Sequence, residues 1–254
     1  MSESLDRFRL DDKVAVVTGG ARGIGRATSD LFAAAGARVV IADRDGAEAE
    51  RTAAAIGKGA EAHALDVTDE AAVESFFAAL AARTGRLDVL VNNAGTSIRK
   101  PTIDLPKTDW DEVVAVNMTS VFLCTRAAAR QMRSRGGAIV NVASIMGLSG
   151  GGLYPNASYQ ATKGAVVNMT RAFAVEWARD NIRVNAVAPT WVRTGFIQPI
   201  LEKPELMAEI ARITPMGRLA EPDEVAAAIL FLASPAASMT TGHVLAVDGG
   251  FLAQ

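Results

Sequence analysis

Cysteine and histidine are nearly missing from this 254-residue chain: Cys124 stands alone, and His63 and His243 are the only imidazoles. They cannot assemble an internal disulfide, a zinc finger or a three-histidine centre, so no metal is expected and the chemistry must use other side chains. A dominant charge is missing too. With 26 basic and 28 acidic residues the net charge is −2, which provides no positive field to draw in nucleic acid or an anionic membrane. No hydrophobic run approaches the roughly 20 residues needed to cross a bilayer. The opening MSESLDRFRLDDK alternates charges with single apolar residues where a secretory signal would be continuously apolar. A cytoplasmic protein is the expectation.

What the chain does have is 50% hydrophobic against 21% charged residues, enough for one substantial core. Short aliphatic runs alternate with longer alanine-rich amphipathic stretches, the pattern of β-α units around a buried parallel sheet. Strands are expected over 14–17, 38–42, 61–65, 87–91, 138–143, 182–187 and 245–247. Helices are expected over 24–35 and 47–56, within 110–133, over 157–179, and from 221 to the Ser-Pro stop near 237. No linker interrupts the series, so residues 1–254 read as one α/β domain, with an extended loop or helical insertion over 190–219.

The glycines cluster, and the first cluster carries chemistry. Thr18-Gly19-Gly20-Ala21-Arg22-Gly23-Ile24-Gly25 lies where the first strand turns into a helix. There glycines allow close backbone approach to a pyrophosphate that the helix N-terminus attracts. Asp43, eighteen residues beyond Gly25 at the end of the second strand, can accept hydrogen bonds from both hydroxyls of an adenine ribose and repel a 2′-phosphate, which favours NAD. Arg22 and Arg44 argue the other way, since either can pair with a ribose phosphate. Asp66 and Val67, after the third strand, are expected at the adenine edge and face.

Three further motifs follow in order: Asn92-Asn93-Ala94-Gly95, then Ser144, then Tyr159 and Lys163 in the spacing Y-x-x-x-K. With the glycine turn they make the whole chain resemble the short-chain dehydrogenase/reductase family. The resemblance implies a single Rossmann-type domain, a doubly wound parallel seven-stranded sheet with helices on both faces, and frequent homotetramers. It also implies a catalytic tetrad of Asn117, Ser144, Tyr159 and Lys163, with Asn93, Ala94 and Gly95 lining the cofactor cleft. Pro189, Val192 and Thr194 match the family's P-G-x-x-x-T segment on the nicotinamide side, although Thr190 stands where glycine is usual. By the same resemblance Asn117 would hold a water near Lys163 as part of a proton route.

Tyr159 and Lys163 also make sense from spacing alone, because residues four apart share one helix face. An adjacent ammonium favours the phenolate of a tyrosine, whose ordinary pKa of about 10 is too high for a base near neutrality. Ser144 would stabilise the substrate oxygen, and Lys163 would hold the nicotinamide ribose. Met146, Asn156, Trp191 and Phe196 join Ser144 and Tyr159 as candidate substrate contacts, with Trp191 and Phe196 equally able to seal the 190–219 segment against the core. The phrases Ile213–Arg218 and Val247–Gly250 resemble family members that oxidise sugars, sugar acids or polyols, and also the related NADPH-dependent 3-oxoacyl thioester reductases. The NAD reading of Asp43 tips the expectation toward a polyol or sugar dehydrogenase. A catalytically idle NAD-binding scaffold is a third reading, opposed by the four proton-transfer residues. Cys124, amid Val121, Phe122 and Leu123, reads as packing, and Arg126, Arg130, Arg133 and Arg135 as a solvated helix face.

Overall fold

A computed structural model describes residues 5–254; the first four residues of the opening segment lie outside the described ones. The aliphatic runs become seven parallel strands: β1 (Val14–Thr18), β2 (Arg38–Asp43), β3 (Glu61–Ala64), β4 (Val89–Asn92), β5 (Gly137–Val142), β6 (Ile182–Pro189) and β7 (Val244–Val247). Their spatial order is β3-β2-β1-β4-β5-β6-β7. Every residue of β1 and β4 is buried, which is why these strands read as continuous apolar runs without alternation. Alternate residues nonetheless serve opposite layers. Ala15 and Val17 pack with Phe32, Ile229 and Leu232 on one face, while Val14 and Val16 pack with Phe77, Leu123 and Met132 on the other.

The first face is covered by α1 (Gly23–Ala34), α2 (Gly46–Ile56) and α9 (Pro222–Ala233), and the second by α3 (Glu70–Thr84), α5 (Ser120–Met132) and α6 (Ala157–Trp177). Local signals set the ends of these helices. Asp45 and Asp69 accept the backbone N–H groups of Glu48 and Ala72 to cap α2 and α3, and Pro222 opens α9 behind a Glu221/Glu224 capping box. The chain runs outward from β1 through β2 to β3, then returns to place β4 on β1's other side. That reversal opens a crevice at the strands' C-terminal ends, where open α/β sheets bind ligands.

The helix within 110–133 and the end of the last long helix differ from the sequence reading, while 190–219 takes the helical one of its two expected forms. The single long helix expected within 110–133 is α4 (Lys107–Val114), a π-helical turn (Ala115–Thr119) and then α5. The wider turn contains buried Asn117, whose amide bonds the backbone of Thr96 in place of leaving the helix ladder regular. The 190–219 segment resolves as helical, with α7 (Gln198–Leu201) and α8 (Pro204–Ile213) closing a separate apolar cluster with Ile145, Met146, Trp191 and Ile210. The last long helix also stops at Ala233, because the Ser234 hydroxyl and Pro235 turn the chain into a short 3-10 segment.

A buried polar chain ties the sheet to the helices behind the crevice. Asn92 on β4 donates to Thr125 on α5 and to Asn141 on β5, each at 2.8 Å, and Asn141 donates to Thr170 on α6 at 2.9 Å. Satisfied polar groups of this kind hold one register, since any slip would leave a buried amide unpaired. Arg126 and Arg130 pair with Glu70 and Glu74 across α5 and α3, so this arginine row links two helices as well as facing solvent. Among the described residues no helix is long and apolar enough to cross a membrane.

Candidate active site

β1 delivers the glycine turn to the mouth of the crevice. A Cβ on Gly25 would meet the Gly19 carbonyl oxygen at 2.1 Å and Asn93 Nδ2 at 2.6 Å, so the first turn of α1 can sit this close only with glycine there. Asn93 fastens the arrangement, donating from Nδ2 to the Thr18 and Gly19 carbonyls at 3.1 and 2.8 Å. No side chain caps α1 and its first residues, Gly23 and Ile24, line the cleft, which leaves uncapped N–H groups at a place that suits a pyrophosphate.

The cleft encloses about 690 Å³. Every residue expected from the sequence to bind cofactor or substrate lines it except Gly25, which lies behind the turn. Asn117 also stands back from it. Its Oδ1 accepts the Thr96 N–H at 2.8 Å while Nδ2 donates to the Thr96 carbonyl at 2.9 Å and to Thr162 Oγ1 at 3.3 Å. Asn117 thus clamps the segment leaving β4 to α6; the expected water toward Lys163 has to share an oxygen already engaged by Thr96.

Tyr159 and Lys163 project from one face of α6. The Lys163 side chain is buried, with Nζ donating to the Val142 carbonyl at 2.6 Å and lying 5.6 Å from the Tyr159 ring centroid. Burial pushes the ammonium down to about 8. The Tyr159 phenol is pushed up to about 12, by burial first, with the Ser144 hydroxyl and the more distant Arg99 charge pulling it back. In this arrangement desolvation outweighs the help that the sequence reading expected from Lys163. The close seating of α6 depends on Gly147, where a Cβ would fall 2.6 Å from the backbone C and O of Lys163.

At the substrate end, Asn156 is buried and paired with Ser97, its Nδ2 donating to Ser97 Oγ at 3.0 Å. Trp191 is buried against Phe251 and donates from Nε1 to the Tyr154 hydroxyl at 3.2 Å. It seals the segment and shows the cleft one face. Phe196 is 42% exposed and stands 6.2 Å from the Tyr159 ring, open to a ligand. Thr190 keeps the backbone on course despite replacing glycine, its N–H donating to Val247 at 3.1 Å, and its buried hydroxyl has no partner among the described residues. With Pro189 and Val192, Thr190 lines the same cleft as the glycine turn, a mixed polar and apolar lining that fits a dinucleotide. Sequence reasoning missed Arg99, Glu112 and Tyr154, which also line the cleft. The signal available for Arg99 was its place just past Asn92–Gly95, at the C-terminal edge of a central strand.

Residues 19–252 match the family model described as Enoyl-(Acyl carrier protein) reductase. The chain is 45% identical to galactitol 2-dehydrogenase (L-tagatose-forming) of Cereibacter sphaeroides over 246 residues, 96% of each chain. It is 42% identical to D-threitol dehydrogenase of Mycolicibacterium smegmatis, over 96% of this chain and 94% of that one. Among solved structures it is similar to a gluconate 5-dehydrogenase of Burkholderia cenocepacia in complex with NADP and tartrate, with a TM-score of 0.95 and 36% identity over 99% of this chain and 100% of that one.

The NAD expectation is overturned by these relatives, for the gluconate 5-dehydrogenase and two further matched structures hold NADP. The geometry supplies a reason. The Asp43 carboxylate, from which NAD was read, already accepts the N–H groups of Ala21 at 3.1 Å and Asp45 at 3.0 Å, so both its oxygens close the turn. Beside it Arg44 is exposed, lines the cleft and has no ion-pair partner among the described residues. Arg22 is held at 2.7 Å by Asp45.

Proposed function

The chain belongs to the short-chain dehydrogenase/reductase family, as an NAD(P)-dependent oxidoreductase acting on CH–OH groups, and on that premise we propose that it interconverts a secondary alcohol of a polyol or sugar-derived substrate and its ketone with NADP(H). The observation that carries this reading is that Ser144, Tyr159 and Lys163 line the same single cleft as Gly19 and Gly23 of the glycine turn. The bound cofactor supplies the hydride acceptor or donor at its nicotinamide ring.

Tyr159 removes the hydroxyl proton in oxidation and returns it in reduction. Ser144 donates a hydrogen bond to the substrate oxygen, where charge develops. Lys163 holds the cofactor ribose when it turns from Val142, and its ammonium then supports the phenolate. Thr18–Gly25 hold the pyrophosphate, Arg44 meets the 2′-phosphate, and Pro189, Val192 and Thr194 border the nicotinamide. Residues 190–219 cover the substrate end, with Trp191 as their fixed point and Phe196 as a movable wall.

The test is turnover of alditols and sugar derivatives with NADP⁺ and NAD⁺, followed by NADPH absorbance. Tyr159→Phe should slow turnover about 10³-fold while NADPH binding changes less than about twofold. Since the phenol titrates high, wild-type oxidation should climb with pH across the neutral and alkaline range. A clear preference for NAD⁺ refutes the cofactor assignment. Activity confined to 3-oxoacyl thioesters refutes the substrate class, and NADPH binding without any turnover marks a scaffold.

A further inference from the structure

Arg193 stands between two residues of the cleft wall without belonging to that wall. Val192 and Thr194 line the cleft and Arg193 does not, as the alternation of side chains along an extended stretch requires. Its side chain runs outward to the start of α9, where Nε donates to Glu221 Oε1 at 3.0 Å, with the two side chains 52% and 49% exposed. The backbone makes the same crossing. Arg193 N–H donates to the Ala220 carbonyl at 2.9 Å and Ala220 N–H to that of Trp191 at 3.0 Å, so the 190–219 segment leaves and re-enters the body at one narrow neck. Val192 and Ala220 share a core there with Ala21 of the glycine turn and Val225 of α9.

Beyond Arg193 these ties to α9 stop. Thr194 is extended, at φ −141° and ψ 165°, and its hydroxyl donates to the Val192 carbonyl of its own stretch at 3.3 Å. A Cβ placed on Gly195 would meet nothing within 4 Å, so the residue that follows has neither a side chain nor a neighbour to hold it. Thr194 nonetheless needs one position. A Cβ on Gly23 would come within 3.1 Å of Thr194 Cγ2, which sets Thr194 directly against the glycine turn and makes its place decide how much room that turn has. The far end of the segment is fastened separately, by two hydrogen bonds of 2.7 and 2.8 Å from Arg218 to the Glu224 carboxylate. Neither of those residues lines the cleft.

We propose that Arg193 and Glu221 are positioning residues for the cofactor: the pair ties the Val192–Thr194 stretch to α9, so that Thr194 stays against Gly23 and the glycine turn keeps its hold on NADP(H). The assignment rests on the NADP(H) reading above and adds to it two residues outside the cleft. A half-exposed ion pair contributes little to folding as a whole. Its effect is concentrated at Thr194, which sits between the last tied residue and the free Gly195.

The experiment measures NADPH affinity by calorimetric titration at low ionic strength, where exposed pairs are least screened, in wild type, Arg193→Met, Arg193→Lys, Glu221→Gln and the double variant Arg193→Met/Glu221→Gln. Methionine keeps an apolar stem, and glutamine keeps a side-chain oxygen at the N-terminus of α9. Arg193→Met and Glu221→Gln should each raise the Kd about 3–5-fold, and the KM for NADP⁺ with it, while kcat changes less than about twofold. The double variant should bind no more weakly than either single one, because both remove the same interaction, and Arg193→Lys should stay within about twofold of wild type. Arg218→Met cuts the other tie and should cost stability in urea unfolding without moving the Kd. An unchanged Kd in both single variants overturns the proposal, and so does additivity in the double one. A shift of equal size in Arg218→Met also overturns it, since the effect would then be a general loosening of the neck. A wild type that binds NADPH but oxidises no alcohol defeats the oxidoreductase reading instead, and the Kd series still decides the role of the pair.

Discussion

Replacing Lys163 by methionine should stabilise the free protein near neutral pH while destroying its activity. The side chain is 4% exposed, and burial brings its pKa from 10.5 to about 8. Because the folded value lies below the unfolded one, the unfolded chain binds a proton in the window between them that the folded chain does not. Stability is therefore lost as pH falls from about 10.5 to 8 and stays lost below. Integrated over the window this is about 3 kcal/mol at pH 7, shrinking below about 1 kcal/mol at pH 10. Methionine fills a similar volume without charge, but it leaves the Val142 carbonyl without the 2.6 Å hydrogen bond from Nζ, at a cost of about 1 kcal/mol. The net gain is about 2 kcal/mol at pH 7, or some 4–8 °C in Tm for a chain of this size, and it should vanish or reverse by pH 10.5. Thermal and urea unfolding without cofactor, at fixed protomer concentration, measure it; cofactor is omitted because binding would add its own stabilisation. A Lys163→Met protein less stable than wild type at pH 7, or one whose advantage grows with pH, would refute the reasoning.

Gly147→Ala should press a methyl group into the Lys163 backbone, at 2.6 Å, and shift the helix that carries Tyr159 as well. About 1–3 kcal/mol of stability and most of the turnover should go, whereas Gly150→Ala, with nothing within 4 Å of the added carbon, should match wild type in unfolding and kinetic assays. Asn117→Ala should orphan both the N–H and the carbonyl of Thr96, costing about 2 kcal/mol or more in urea unfolding. Loss of activity in that variant with stability intact would show that the clamp on Thr96 is not its role.

The motif residues were legible because their chemistry demands particular side chains at particular distances along the chain. Tyr159 and Lys163 four apart, or glycines between a strand and a helix, announce themselves without coordinates. Cofactor choice was not legible in that way: Asp43 is the right residue at the right spacing for a ribose, and only its hydrogen bonds to Ala21 and Asp45 reveal that it also closes a turn. The pKa shifts were misjudged for a related reason. Spacing shows that a lysine is near a tyrosine, but desolvation depends on everything else packed around them. Arg99 was passed over because a lone arginine after a known motif has no distinguishing pattern until Tyr154 and Phe196, 55 and 97 residues further on, close around it.

By itself the sequence determined the alternation that makes a parallel sheet, the turn that faces a pyrophosphate and the residues able to move a proton, since each follows from backbone sterics or from the chemistry of a side chain and its near neighbours. The tertiary structure decided which of those groups are free to act. It committed Asp43 and Arg22 to the turn, widened the helix at Asn117 into a π turn, buried Lys163 deeply enough to lower its pKa, and tied Arg193 to Glu221. These outcomes depend on partners far away in the chain, and only packing settles which donors and acceptors find one another.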